Sequence, residues 1–221
     1  VCRAWYEILK RKRAMRRARA WKTPVSSVVR SVLLLQWARE NGCPWGRLTC
    51  ARAADGGHLE VLQWAREHGC PWDQRVCAYA AENGHLAVLR WARETGCPWD
   101  EMTCNAAVRG GHLDCLKYYV ENGGEISEDA CERAVYCKNL DILCYLHRRG
   151  CRLTAKMMEH AVFSGHLPII MYLHAAECPY NMAQLREVAS RYARDANFEC
   201  VKFLHENGYT FGEALYHSAA R

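Results

Sequence analysis

The sequence predicts an all-α solenoid, a ribbon of helix–turn–helix units stacked side by side. Three registers carry that expectation. Trp37, Trp64, Trp91, Tyr118, Tyr145 and Tyr172 stand 27 residues apart, and Phe203 follows after 31. Trp45, Trp72, Trp99, Ile126, Leu153 and Tyr180 keep the same period, and Phe211 again follows after 31. His58, His85, His112 and His166 form the third register, with Asn139 in its fourth place. Registers that share a period and a late four-residue insertion mark tandem units that bury their apolar faces only by stacking.

In chain order, residues 1–22 are expected to form a basic helix and residues 23–221 about seven units. Each unit opens on a residue type that caps a helix N-terminus: Gly46, Asp73, Asp100, Ser127, Thr154, Asn181 and Gly212. A first helix of about ten residues follows, through an alanine-rich stretch such as CAYAAE at 77–82. NGH or GGH then turns the chain. A second helix follows, as in LAVLRWARET at 86–95, with apolar residues at i, i+3 and i+4. Gly96 sits where a terminating glycine belongs, and Pro98 prevents continuation. The four extra residues, RYAR at 191–194, add close to one turn, so the helix beginning near Asn181 is expected to reach about Arg194.

The net charge of +6 is unevenly placed. Residues 1–30 hold ten Lys or Arg against Glu7, whereas the rest holds 20 basic and 23 acidic residues. The basic character therefore belongs to the N-terminal arm, and KRKRAMRRAR at 10–19 suits either a solvated helix face or a nucleic-acid contact. No run of about 18 apolar residues is present, which argues against a membrane span. Fourteen cysteines without a secretory signal fit buried thiols in a reducing compartment, so the expected location is the cytosol or nucleus.

The unit resembles a known family. AAENGHLAVLRWARETG at 80–96 is similar to the second half of an ankyrin repeat, AA-x-x-GH-x-E-V-V-x-x-L-L-x-x-G. GHLEVLQWAREHG at 57–69 and GHLDCLKYYVENG at 111–123 match it in the same way, and the resemblance spans roughly 23–221. An ankyrin unit has about 33 residues. The missing six fall where ankyrin repeats carry their β-hairpin, and RVCA at 75–78 stands in place of the TPLH signature. The resemblance thus implies an ankyrin-like solenoid with shortened or absent β-hairpins. Short units with GCPWD linkers look like those of algal and large-DNA-virus proteins, some of which carry an F-box upstream. VCRAWYEIL at 1–9 is similar to the end of an F-box.

The chemically tempting residues read as structure. Cys43, Cys70, Cys97, Cys151 and Cys178 form one ladder, and Cys50, Cys77, Cys104 and Cys131 another. Stacked helices lie about 8–10 Å apart. That is too far for two rungs of one ladder to share a zinc or a disulfide. A site would have to combine positions within a unit, such as Cys70 with Cys77, and no CxxC or HxxxH spacing supports it. Asn139 and Asn197 fill the histidine register, so a turn hydrogen bond explains it better than acid–base work. The aromatic ladder from Trp37 to Phe203 is expected to be core.

No nucleophile–base arrangement, phosphate loop or metal spacing appears, so no enzyme activity, cofactor or metal is expected. A scaffold binding a protein partner is the economical reading, with the F-box resemblance implying substrate recognition in a ubiquitin ligase. The other reading is a nucleic-acid-associated protein that binds through its basic arm, and a monomer is expected. Counting from the aromatic before each first helix, offsets +5, +8 and +9 are small or apolar and should face inward. Offsets +3, +7 and +10 vary between units, and partner contacts are expected there. Tyr79, Arg109, Arg133, Tyr136, His160 and Phe163 are the expected anchors, since Tyr and Arg dominate binding hot spots.

Overall fold

The computed structural model describes residues 28–192 and 198–210. Among them are thirteen helices and no strand. The first is α1 (Val32–Glu40), a second helix by its register. Six helix pairs follow. They are α2 (Arg47–Asp55) with α3 (Leu59–Glu67), α4 (Arg75–Glu82) with α5 (Leu86–Glu94), and α6 (Glu101–Gly110) with α7 (Leu113–Glu121). Then come α8 (Ala130–Tyr136) with α9 (Leu140–Arg148), and α10 (Ala155–Phe163) with α11 (Leu167–Ala175). The last pair is α12 (Met182–Tyr192) and α13 (Phe198–Glu206). The expected basic helix at 1–22, Asn197, Phe211 and Gly212 lie outside the described residues.

The expected cap residues begin the first helices by different means. The Asp100 carboxylate accepts the Met102 N–H at 3.0 Å, and the Asn181 side chain accepts those of Ala183 and Gln184 at 3.0 and 3.3 Å. At Gly46 the roles reverse, and its own N–H donates to the Thr49 hydroxyl at 3.1 Å. Two starts are later than the register suggests. Asp73 is followed by one turn residue, though its carboxylate still accepts the Arg75 N–H at 3.2 Å. Ser127 instead donates its hydroxyl to Asn105 at 2.7 Å, and α8 opens two residues later, at Asp129. Thr154 likewise donates to Glu132 at 2.8 Å rather than capping. A side chain that can bridge to the neighbouring unit does so, and the cap gives way.

First helices pack against first helices more closely than second helices pack against second helices. The reason is volume. Cys77, Ala80, Ala81, Cys104, Ala107 and Val108 are all fully buried between first helices, and such small side chains let backbones approach.

The aromatic ladder is a correction. Trp37, Trp64, Trp91, Tyr118, Tyr145, Tyr172 and Phe203 are only half-buried, packed against the flank of the core. The buried stripe of the second helices is one or two positions away, at Leu62, Leu89, Leu116, Leu143 and Ile170, and at Ala65, Ala92, Tyr119, Leu146 and Leu173. The aromatics instead build a lateral seam. The linker Trp72 meets Trp91 of the next second helix edge-on, with ring centroids 5.7 Å apart, and Trp45–Trp64 and Trp99–Tyr118 repeat it at 6.0 and 6.1 Å. Arg39, Arg66 and Arg93 each lay a guanidinium over the linker Trp of their own unit, at 3.7, 4.1 and 4.4 Å. Such cation–π contacts contribute about 0.5–1 kcal/mol each at exposed sites.

α12 is the longest helix at 11 residues, and helix extends through Arg191 and Tyr192 of the insertion. The expected end near Arg194 lies outside the described residues.

Candidate functional site

The outward face of the first helices carries one changing row of side chains at offset +10: Asp55, Glu82, Arg109, Tyr136 and Phe163. One end of this row is tied up in polar contacts. Arg52 pairs with Asp55 at 3.2 Å, and Asn83 donates to the same carboxylate at 3.1 Å. Arg109 grips Glu82 across a unit boundary through two hydrogen bonds of 2.9 and 2.7 Å. That guanidinium holds the Glu82 carboxyl below its ordinary value. Arg133 bonds Asp129 one turn away at 2.8 Å and lowers that carboxyl in the same way.

The other end is aromatic and exposed. Tyr136 is 72% exposed and Phe163 is 49% exposed. The Tyr136 and His160 rings meet edge-on with centroids 5.6 Å apart. Together with Lys138 and Ser164 they line a cleft of about 390 Å³. The Lys138 ammonium donates to the Ser164 carbonyl at 3.2 Å and spans the cleft from one turn to the next.

Of the six expected anchors, the fold brings Tyr136, His160 and Phe163 into this one cleft. Arg109 and Arg133 are exposed but already engaged by carboxylates, and Tyr79 is half-buried on α4 and does not line the cleft. The offset rule fails at Ala106, which is buried. Sequence reasoning missed Lys138 and Ser164, yet a signal was present. The Lys138 register reads Gly57, Gly84, Gly111 and Gly165 in the other units, and Lys138 adopts the left-handed φ of 58° that those glycines suit. A non-glycine residue held there stores about 1 kcal/mol or more of strain, the kind of outlier that gathers at working sites.

The histidines serve the stack. The His85 ring bonds the Asp55 carbonyl of the previous unit at 3.2 Å, and Asn139 reaches the Gly111 carbonyl at 3.5 Å. Only Asn139 also caps its own helix well, accepting the Ile142 N–H at 3.0 Å. At His85 and Asn139 the turn bond is a strut between units, whereas the His166 ring accepts the Ile169 N–H of its own helix at 3.4 Å.

The cysteines pack across the two ladders. The fold sets Cys70 against Cys50, twenty residues upstream on the preceding first helix. The Cys50 thiol donates to the Cys70 carbonyl at 3.9 Å, and the Cys70 and Cys97 thiols donate to the Gly46 and Asp73 carbonyls at 3.5 Å. The neighbouring thiol and burial push the Cys50, Cys77 and Cys131 thiols well up, and the neighbouring thiol holds Cys70 and Cys151 below the ordinary thiol value. All thirteen described cysteines are free thiols.

No family model matches the chain, and no curated protein matches it. Solved structures do. The human ASB11 ankyrin repeat domain superposes with a TM-score of 0.58 at 16% identity, over 72% of this chain and 85% of that one. The pentatricopeptide repeat protein PPR10 from maize aligns more loosely, with a TM-score of 0.45 at 14% identity, over 88% of this chain and 35% of that one. Among the described residues no helix is long and apolar enough to cross a membrane. With stacked helix pairs, strand-free linkers and the superposition on ASB11 in agreement, the chain is an all-α helical repeat solenoid that shares the fold of an ankyrin repeat domain.

Proposed function

We propose that this solenoid is a protein–protein interaction scaffold whose contacts centre on the cleft between Tyr136 and Phe163. One observation carries the reading. The repeat dictates the buried positions, yet at one place on the outward first-helix face it exposes two large aromatics beside a strained lysine. A fold indifferent to that face has no reason to keep the strain, whereas aromatic anchors in a shallow cleft are what a partner's side chains fill. The histidines and paired thiols have structural partners, so the reading assigns the chain no catalysis. It places the protein in the cytosol or nucleus as a monomer. The finer role, substrate recognition within an F-box ubiquitin ligase, is supported by the VCRAWYEIL resemblance at 1–9.

Selection of a displayed peptide library against the immobilised solenoid tests the proposal. Selected peptides should lose binding to Tyr136→Ala/Phe163→Ala and keep it with Met171→Ala, an exposed change on α11. Peptides indifferent to the cleft pair would refute it. Tight, steeply salt-dependent capture of random single-stranded nucleic acid would favour the basic arm instead.

A further inference from the structure

The cleft between Tyr136 and Phe163 has a sign of charge as well as an apolar lining. Lys138 contributes an ammonium to it, and among the described residues no carboxylate lines it. Three carboxylates on or beside α4 and α8 are engaged elsewhere. Arg109 holds Glu82 at 2.7 Å, Arg133 holds Asp129 at 2.7 Å, and Glu132 accepts the Thr154 hydroxyl at 2.8 Å. Glu159, beside His160 in sequence, buries one of its carboxylate oxygens. Lys156 stands one turn before His160 on α10, and both are exposed. The charge at the cleft itself is therefore positive.

Lys138 is the residue that needs a reason. Gly57, Gly84, Gly111 and Gly165 build the same left-handed turn without a side chain, so the turn does not require lysine. The bond from its ammonium to the Ser164 carbonyl, 3.2 Å long, is exposed, and a contact of that kind does no more than offset the backbone strain. It does fix the position of the charge. Among the described residues the Ser164 carbonyl is the ammonium's one recorded partner, and two of its three N–H groups remain for a ligand. Resting on the scaffold reading above, we propose that the cleft selects a peptide in which an acidic side chain stands beside a bulky apolar one. The carboxylate meets the Lys138 ammonium, and the apolar group lies against the Tyr136 and Phe163 rings.

Size and charge together favour this occupant. A cleft of about 390 Å³ is at the small end of ligand pockets, so it takes one or two side chains. Single-stranded nucleic acid also uses exposed rings and cations, but it needs a row of available cations along its phosphates. Here Arg109 and Arg133, the two guanidiniums of the outward face nearest in register, are already held by carboxylates. One fixed ammonium beside apolar rings matches one carboxylate beside an apolar side chain.

Fluorescence anisotropy of the intact chain with short labelled peptides tests this. Each peptide carries a central leucine or phenylalanine flanked by glutamate, glutamine or lysine. The glutamate set should bind roughly fivefold tighter than the glutamine set, the size of one exposed ion pair, and the lysine set should bind most weakly. Added salt should shrink the preference for glutamate. Lys138→Met should abolish that preference while binding still depends on the apolar residue, and Lys138→Gly, which relieves the backbone, should do the same. Tyr136→Ala/Phe163→Ala should weaken the glutamate and glutamine sets alike. Equal binding of those two sets, still dependent on Tyr136 and Phe163, would overturn this inference and leave the scaffold reading standing. A preference for lysine, binding of no set, or tighter cleft-dependent binding of a single-stranded oligonucleotide would also overturn it.

Discussion

His112 sits over Gly84 of the preceding unit, so closely that a Cβ added at Gly84 would lie 2.5 Å from its Nδ1. The same seat recurs one unit earlier, where a Cβ on Gly57 would lie 2.7 Å from the His85 ring. The glycine of each turn and the histidine of the next unit are therefore one device, repeated at the period of the chain.

Gly84→Ala should thus suffer twice, from its φ of +74° and from the ring above it. Gly96→Ala has a φ of +84° with nothing within 4 Å, so it bears the backbone strain alone, about 1 kcal/mol. A double-mutant cycle between Gly84→Ala and His112→Ala, read by urea denaturation, should show a coupling of roughly 1 kcal/mol. Additive effects would mean that the ring moves aside freely.

The seam and the core should separate in magnitude. Leu89→Ala empties a fully buried site and should cost about 2–5 kcal/mol. Trp91→Ala removes a half-buried ring together with its edge contact to Trp72, and should cost about 2 kcal/mol, below a fully buried tryptophan. Thermal or chemical denaturation ranks the two. Equal losses would return the tryptophans to the core.

Lys138→Gly should stabilise the chain by about 1 kcal/mol, because glycine adopts the left-handed φ without strain. The same change removes the ammonium that spans the cleft to Ser164. A higher melting temperature together with weaker binding of cleft-selected peptides is the expected pair of outcomes.

The Glu82–Arg109 clamp predicts a pH dependence. The folded Glu82 carboxyl lies below its ordinary value of 4.5, chiefly through its hydrogen bonds to Arg109. Its stabilisation is complete above that value and fades as pH falls through the lowered one. The stability difference between wild type and Glu82→Gln should therefore be present at neutral pH and vanish in acid. Arg109 is 55% exposed, so solvent screening keeps the effect small.

The sequence determined the repeat itself. Period, helix pair, turn glycines and the caps at Asp100 and Asn181 were legible because each depends on residues close in sequence, through side-chain spacing and backbone preference, whereas Ser127 and Thr154 bond to the neighbouring unit instead of capping. The small residues at Cys77, Ala80 and Ala81 also announced their burial, since tight contact between first helices selects for small volume at fixed offsets. Tertiary structure decided what depends on the neighbouring unit. Stacking sets Leu89 in the core and leaves Trp91 on its flank, although both lie on the apolar side of one helix. It pairs Cys50 with Cys70 across twenty residues, and it engages Arg109 with Glu82 while keeping Tyr136 and Phe163 exposed to solvent. A one-dimensional period shows which positions are equivalent. Which of them touch is fixed by the offset and tilt between adjacent units, and these arise from packing the whole interface at once.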